Sequence, residues 1–219
     1  MKNFGLENVK CVKTPMGINE KLSKDENGVS IDPTLFRSMI GNLLYLTASR
    51  PDICFSVGVC ARYQANPKES HLAAVKRIIR YVNGTADYGI WFSKDTNSGL
   101  AGYSDADWAG NVDDRKSTTE GCFYLGNNLV SLYSKKQNSI SLSTAEAEYI
   151  AIGSCCTQLL WMKQMLADYG IVQDTLVVYC DNTSAINIFK KNMFSILEPN
   201  ILISVIILLE SLLRIKLLS

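Results

Sequence analysis

The sequence predicts a mixed α/β domain preceded by a small helical unit. Two observations carry this expectation. Between residues 35 and 83 apolar side chains recur near the helical period, in runs broken by proline; from Tyr88 onward the period falls to two. Four strand-like runs are then followed by a long helical pattern, a strongly apolar run and a second helical pattern. That order describes a mixed sheet packed with helices. With 219 residues, 47% hydrophobic and 20% charged, the chain can form one large domain or two small ones and is not globally disordered.

Residues 1–34 are polar and turn-rich, with Thr14-Pro15-Met16-Gly17 and Lys24-Asp25-Glu26-Asn27-Gly28, and read as an irregular lead-in. Asp32-Pro33 opens a helix, with Asp32 as its cap, and Leu35, Met39, Leu43, Leu44 and Leu46 supply its apolar side. Arg50-Pro51-Asp52 interrupts it and starts a second helix through Ile53, Val57, Cys60 and Ala61. Asn66-Pro67 breaks again. The third helix, 70–82, buries Leu72, Val75, Ile78, Ile79 and Val82, turns Lys76, Arg77 and Arg80 to solvent, and stops at Asn83-Gly84. His71, the single histidine, stands near its start, so no histidine triad or multi-histidine metal site can be built.

Strands are expected at 89–92, 100–104 and 121–125, with Gly126-Asn127-Asn128 turning into a further strand at 129–133. A long helix spans 143–169, capped by Ser143 or Thr144 with Glu146 in its first turn, and stops at Gly170. The apolar strand 176–180 and a helix over 183–191 complete the pattern.

Net charge is +1, so any nucleic-acid contact must come from local basic patches. The seven cysteines have no CxxC spacing and the first residues lack the apolar run of a signal peptide, which predicts reduced thiols in an intracellular protein of the cytoplasm or nucleus, not a secreted one.

Carboxylates at strand ends are the chemistry of this chain. Asp105 and Asp107 end one strand, Asp181 follows another, and Glu148 lies on the long helix. At about 100° per residue, Glu146 and Glu148 point about 200° apart. Glu148 shares its face with Ile152, Cys155, Leu159, Met162 and Leu166; Glu146 shares the opposite face with Gly153, Thr157, Gln164 and Asp168. An acid on an apolar stripe is costly unless it is paired or binds a metal. Glu148 is therefore the anomalous residue and Glu146 an ordinary capping acid. Asp181 reads either as a plain helix cap or as an open α/β site at a strand's carboxyl end. Local geometry does not choose between Asp105 and Asp107. Three separated carboxylates are compatible with a pair of magnesium ions.

Tyr103-Ser104-Asp105-Ala106-Asp107-Trp108-Ala109-Gly110, Asp114-Arg115-Lys116-Ser117-Thr118, Ser134-Lys135-Lys136-Gln137, the run from Leu142-Ser143-Thr144-Ala145-Glu146-Ala147-Glu148 to Ala151, and Asp181-Asn182-Thr183-Ser184-Ala185-Ile186 together resemble the ribonuclease H domain of copia-type LTR retrotransposon Pol polyproteins. The runs from Arg37 to Ile53 and from His71 to Ile78 resemble the segment joining reverse transcriptase to that domain. The resemblance implies a ribonuclease H-like mixed sheet with helices, truncated at its C-terminus and preceded by a small helical reverse transcriptase-derived segment. It divides the chain into a thumb- or connection-like segment over 1–95, a ribonuclease H-like domain over 98–191 and a tail over 192–219. It implies cleavage of the RNA strand of an RNA–DNA hybrid with Mg2+ (or Mn2+) in a two-ion site at Asp105, Glu148 and Asp181. Arg115, Lys116, Lys135 and Lys136 become backbone contacts, with 2′-hydroxyls marking the RNA strand. Reverse transcriptase and other Pol segments are the implied partners, and no membrane. The polymerase's Tyr-x-Asp-Asp is absent, so polymerisation is not available.

The resemblance stops near Lys191. Residues 193–219 are dominated by Ile and Leu, yet their longest uncharged apolar run, 201–209, is too short to span a membrane. Back-translated and read from the third nucleotide, 193–211 yields VQHSRTKHIDISHHFIRE, similar to the missing end of the family, whose RTKHIDI-type stretch carries a fourth catalytic aspartate. The tail thus reads as frameshifted near Asn192, with that aspartate codon straddling Leu202 and Ile203, and the fold is expected to lose its last strand, last helix and fourth carboxylate.

Overall fold

The computed structural model describes residues 10–17, 20–195 and 214–218. The chain forms two units. The first comprises Met1–Ile90, Gly110–Arg115 and Tyr133–Lys135; the second comprises Trp91–Ala109, Lys116–Leu132 and Lys136–Ser219.

The first unit is helical. Helix α1 runs Pro33–Leu46, a short 3-10 turn spans Pro51–Ile53, α2 runs Cys54–Ala61 and α3 runs Glu69–Gly84. Asp32 caps α1 by accepting from the Thr34 and Leu35 amides at 2.9 and 3.3 Å. Phe36, Met39, Ile40, Ile53, Val57, Cys60, Val75 and Ile78 form its core. The lead-in is more than irregular chain: Val12, Met16, Leu22 and Ile31 pack on that core, and Ser30 bridges to Lys68. Helix α3 also continues through Asn83-Gly84. Thr85 holds its end, donating from its hydroxyl to the Tyr81 carbonyl at 2.8 Å and accepting from Arg50 at 2.6 Å. Arg50 meets Asp52 at 2.7 Å, and Tyr81 donates to the same carboxylate at 2.7 Å. His71 is fully buried: its Nδ1 accepts from the Lys68 amide at 2.9 Å, its Nε2 faces the Ser23 carbonyl at 2.7 Å, and its ring stacks on Tyr63.

The second unit is the mixed sheet. Strand β1 is Leu100–Asp107, β2 Thr118–Leu125, β3 Asn128–Lys136 and β4 Thr175–Tyr179, in the order β3-β2-β1-β4, with β5 (Arg214–Leu218) beyond β4. Helix α4 (Thr144–Asp168) joins β3 to β4 and α5 (Thr183–Ser195) follows β4. Strand β1 is antiparallel to β2 and parallel to β4. The β2–β3 turn has Gly126 at φ +59°, a left-handed position where glycine is strain-free. This is the mixed α/β sheet packed with helices that the sequence predicts.

Two expectations about strands are corrected. Residues 89–92 are not a strand: Trp91 is 86% exposed and Phe92 59%, and these residues have no ladder to join. Nor is the sheet's last strand lost with the tail. Residues Arg214–Leu218 pair with β4 in parallel, Thr175 opposite Arg214 and Tyr179 opposite Leu218, so this segment closes an edge that β4 would otherwise leave open. The intervening residues 196–213, where the fourth carboxylate and most of the shifted reading fall, lie outside the described residues.

Gly102 lets α4 approach the sheet. A Cβ there would lie 2.6 Å from Cys155 Sγ and 3.0 Å from Leu159 Cδ1, so the helix seats on bare backbone.

Candidate active site

Parallel pairing of β1 with β4 sets the site. Ala101 lies opposite Val177 and Tyr103 opposite Tyr179. Two positions further along the chain come Asp105, still on β1, and Asp181, just past the end of β4. The pairing thus brings together two acids that are distant in sequence, and it favours Asp105 over Asp107. Helix α4 adds Glu148, on the face it shares with Ile152, Cys155 and Leu159, each fully buried. The helix-face expectation holds: Glu148 is 6% exposed. Glu146 caps instead, accepting from the Leu142 amide at 2.7 Å while its own amide donates to Ser143 Oγ at 3.2 Å.

Glu148 Oε1 accepts from the Ala106 amide at 3.0 Å, which ties α4 to the end of β1. Its carboxyl is pushed up to about 7, above all by burial, while the Ala106 hydrogen bond opposes and the negative fields of Asp105 and Asp181 add to the rise. Asp105 also lies within hydrogen-bonding reach of Glu148. Asp105 and Asp181 are themselves exposed. The arrangement is one deep carboxylate fixed by backbone and two at the solvent edge.

The alternative role for Asp181 falls to its neighbour. Asn182 caps α5, its Oδ1 accepting from the Ala185 amide at 3.0 Å and its carbonyl from the Ile186 amide at 3.0 Å. Asp181 is left outside the helix start. A residue that sequence reasoning passed over stands beside it. Cys180 is 3% exposed, and its Sγ lies 3.9 Å from Glu148 Oε2. Donor atoms of Glu148, Cys180 and Asp181 lie within 4.8 Å of one another. The signal was alternation: Leu176, Val178 and Cys180 occupy one face of a strand, and Leu176 and Val178 belong to the core.

These donors fit a hard divalent cation. Three carboxylates crowd one end of a sheet, where like charges raise one another unless a cation offsets them. The Cys180 thiol is held above its ordinary range, mainly by burial, so it is a neutral neighbour at physiological pH.

The basic residues are divided between the units. Arg115 and Lys135 belong to the first; Lys116 and Lys136 belong to the second. Arg115 and Lys135 are exposed, and Arg115 has a left-handed φ of +57°. Among the described residues no helix is long and apolar enough to cross a membrane.

No family model matches the chain. It is 40% identical over 177 residues to a retrovirus-related Pol polyprotein from transposon RE2 of Arabidopsis thaliana, a match covering 80% of this chain and 12% of that protein. It is 39% identical over 202 residues to the Pol polyprotein of transposon TNT 1-94 of Nicotiana tabacum, covering 89% of this chain and 15% of that one. An uncharacterised mitochondrial protein of Arabidopsis thaliana, AtMg00810, is 35% identical over 162 residues, which cover 74% of this chain and 67% of that protein. The chain therefore spans about an eighth of the length of the polyproteins it matches.

Proposed function

Because the chain belongs to the retrovirus-related Pol polyproteins of copia-type transposons, we propose that its ribonuclease H-like unit hydrolyses the RNA strand of RNA–DNA hybrids with the help of divalent cations. The observation that carries the proposal is the convergence at one sheet end of a buried Glu148 with Asp105 and Asp181, acids supplied by three different elements.

Asp105, Glu148 and Asp181 would hold the cations, Mg2+ or Mn2+, whose chemistry is to activate water and to stabilise the leaving oxygen of a phosphodiester. Glu148 is the fixed point: the Ala106 amide locks one oxygen and the packed face of α4 locks the stem. Asp105 and Asp181 sit at solvent, where a phosphodiester backbone can reach them. Arg115, Lys116, Lys135 and Lys136 are proposed to meet the hybrid's phosphates, and the remaining Pol segments to be its neighbours when it is part of a polyprotein.

Activity is expected to be impaired. Residues 182–219 contain no aspartate to match the carboxylate that the resemblance places in the family's C-terminal stretch, which also supports a second reading, a non-catalytic relic. Incubating the purified chain with labelled RNA–DNA hybrid and magnesium separates the two. Cleavage that disappears in Asp105→Asn supports the enzyme. No cleavage by wild type under conditions where magnesium raises its thermal stability favours the relic.

A further inference from the structure

Gln137, the residue directly after β3, is 6% exposed, and each polar atom of its side chain is hydrogen-bonded. Its Nε2 donates to Thr119 Oγ1 on β2 at 3.0 Å and to the Ala147 carbonyl on α4 at 3.0 Å, which uses both amide hydrogens. Its Oε1 accepts from the Ser141 hydroxyl at 3.1 Å, and its backbone amide donates to the Ser117 carbonyl at 2.9 Å. The Ser141 carbonyl in turn accepts from Trp108 Nε1 at 3.1 Å, just past the end of β1. Ser117, Thr119 and Ser141 are all buried. One buried amide thus joins the strand ends beside the acids to the start of α4. The Ala147 carbonyl and the Glu148 amide belong to one peptide group. Gln137 therefore holds the backbone that carries Glu148, while the Ala106 amide holds its carboxylate.

We propose that Gln137 is a positioning residue for the cation site: it pins the Ala147–Glu148 peptide group to β2 and so sets where the Glu148 carboxylate meets Asp105. The inference rests on the magnesium reading above and adds a residue that never touches the cation. Two anchors matter because rotatable bonds separate the glutamate backbone from its carboxylate. The Ala106 amide fixes the carboxylate relative to β1, but it does not fix the helix that bears it. Ile152, Cys155 and Leu159 hold α4 by apolar packing, which is not directional. The Gln137 amide supplies the directional bond from the sheet to the first turns of that helix. Magnesium demands near-octahedral oxygens at about 2.1 Å, so a displacement of about 0.5 Å at Glu148 degrades the site. The network is buried and its members partner one another, so removing Gln137 leaves Thr119 and Ser141 without that partner and loosens the start of α4.

The test titrates the full chain with magnesium chloride alone and follows the backbone amide signals of Ala106 and Glu148 in proton–nitrogen NMR spectra. Each variant is measured at a temperature where tryptophan fluorescence shows it folded. Gln137→Met, of similar length but without the hydrogen bonds, should weaken magnesium about tenfold or more. Thr119→Val removes one partner of Gln137 and should weaken it about threefold; Thr119→Ser keeps an acceptor there and should restore wild-type affinity. Leu100→Ala is the stability control: it opens a cavity at the opposite end of β1 and should leave the affinity within about twofold of wild type. If Gln137→Met does not fold, the Thr119 pair decides, and equal affinity in Thr119→Val and Thr119→Ser overturns the proposal. Wild-type affinity in a folded Gln137→Met, or equal weakening in Leu100→Ala, also overturns it and leaves the magnesium reading standing. A wild type whose signals do not move with magnesium sinks both.

Discussion

Replacing Glu148 by Gln should make the second unit more stable at alkaline pH, although it removes the residue on which the proposed chemistry depends. The carboxyl is held at about 7 in the fold against an ordinary 4.5. At about 1.4 kcal/mol per tenfold change in proton affinity, that displacement is worth about 3 kcal/mol. The sign follows from proton counting. Between 4.5 and about 7 the folded state binds more proton than the unfolded state, so stability is fully present below the lower value and is lost as pH rises through the upper one. At pH 8 the wild type carries the whole cost, and the glutamine variant carries none of it. All three tryptophans, Trp91, Trp108 and Trp161, lie in the second unit, so tryptophan fluorescence reports this unit and leaves out His71, which lies in the first. In urea the wild-type midpoint should fall by about 1–2 M between pH 5 and pH 8, and the Glu148→Gln midpoint should stay nearly level. Magnesium should restore much of the wild-type loss at pH 8 and none in the variant. A wild-type midpoint that rises with pH, or an equal slope in the variant, would refute the reasoning.

Asn182→Ala removes the cap of α5 and should cost about 1 kcal/mol, read by urea unfolding, while leaving Asp181 in place for magnesium. Gly102→Ala forces a methyl group to within 2.6 Å of Cys155 Sγ and should cost about 2 kcal/mol or more, with loss of the magnesium-induced thermal shift as α4 lifts from the sheet. Arg50→Ala strips Asp52 and the end of α3 of their shared partner; Asp52 is partly exposed, so about 2 kcal/mol is expected, visible as faster amide exchange near Thr85. The Arg50 hydrogen bond also holds the Asp52 carboxyl below its ordinary 3.8, so this contribution is present above that value and fades as pH falls beneath it.

Periodicity carried most of the fold. The change of period near Tyr88, the cap at Asp32 and the stop at Gly170 are local signals, and the elements formed where those signals stood. Errors arose where distant contacts decide. Residues 89–92 have strand-like side chains, but a strand exists only with a neighbour, and sequence shows none. Helix α3 outran its Asn-Gly stop because Arg50, far away in sequence, holds Thr85. For the site, helix phase was enough to pick Glu148 over Glu146. Periodicity alone left Asp105 and Asp107 open; the resemblance named Asp105 and the β1–β4 register is consistent with it, while clearing Asp181 of a capping role needed the Asn182 hydrogen bond. Cys180 was legible through alternation, but only once the facing helix was known to carry an acid.

The parallel pairing of β1 with β4 has a consequence for assembly. Ala101 meets Val177 only after β2, β3 and the whole of α4 have been made and laid aside, a long loop to close before any contact repays it. The hairpin and α4 can form from neighbours; the acidic pocket cannot. It should be among the last parts of the unit to appear on refolding and among the first to open, so cation binding would serve as a late check that the chain has reached its native topology.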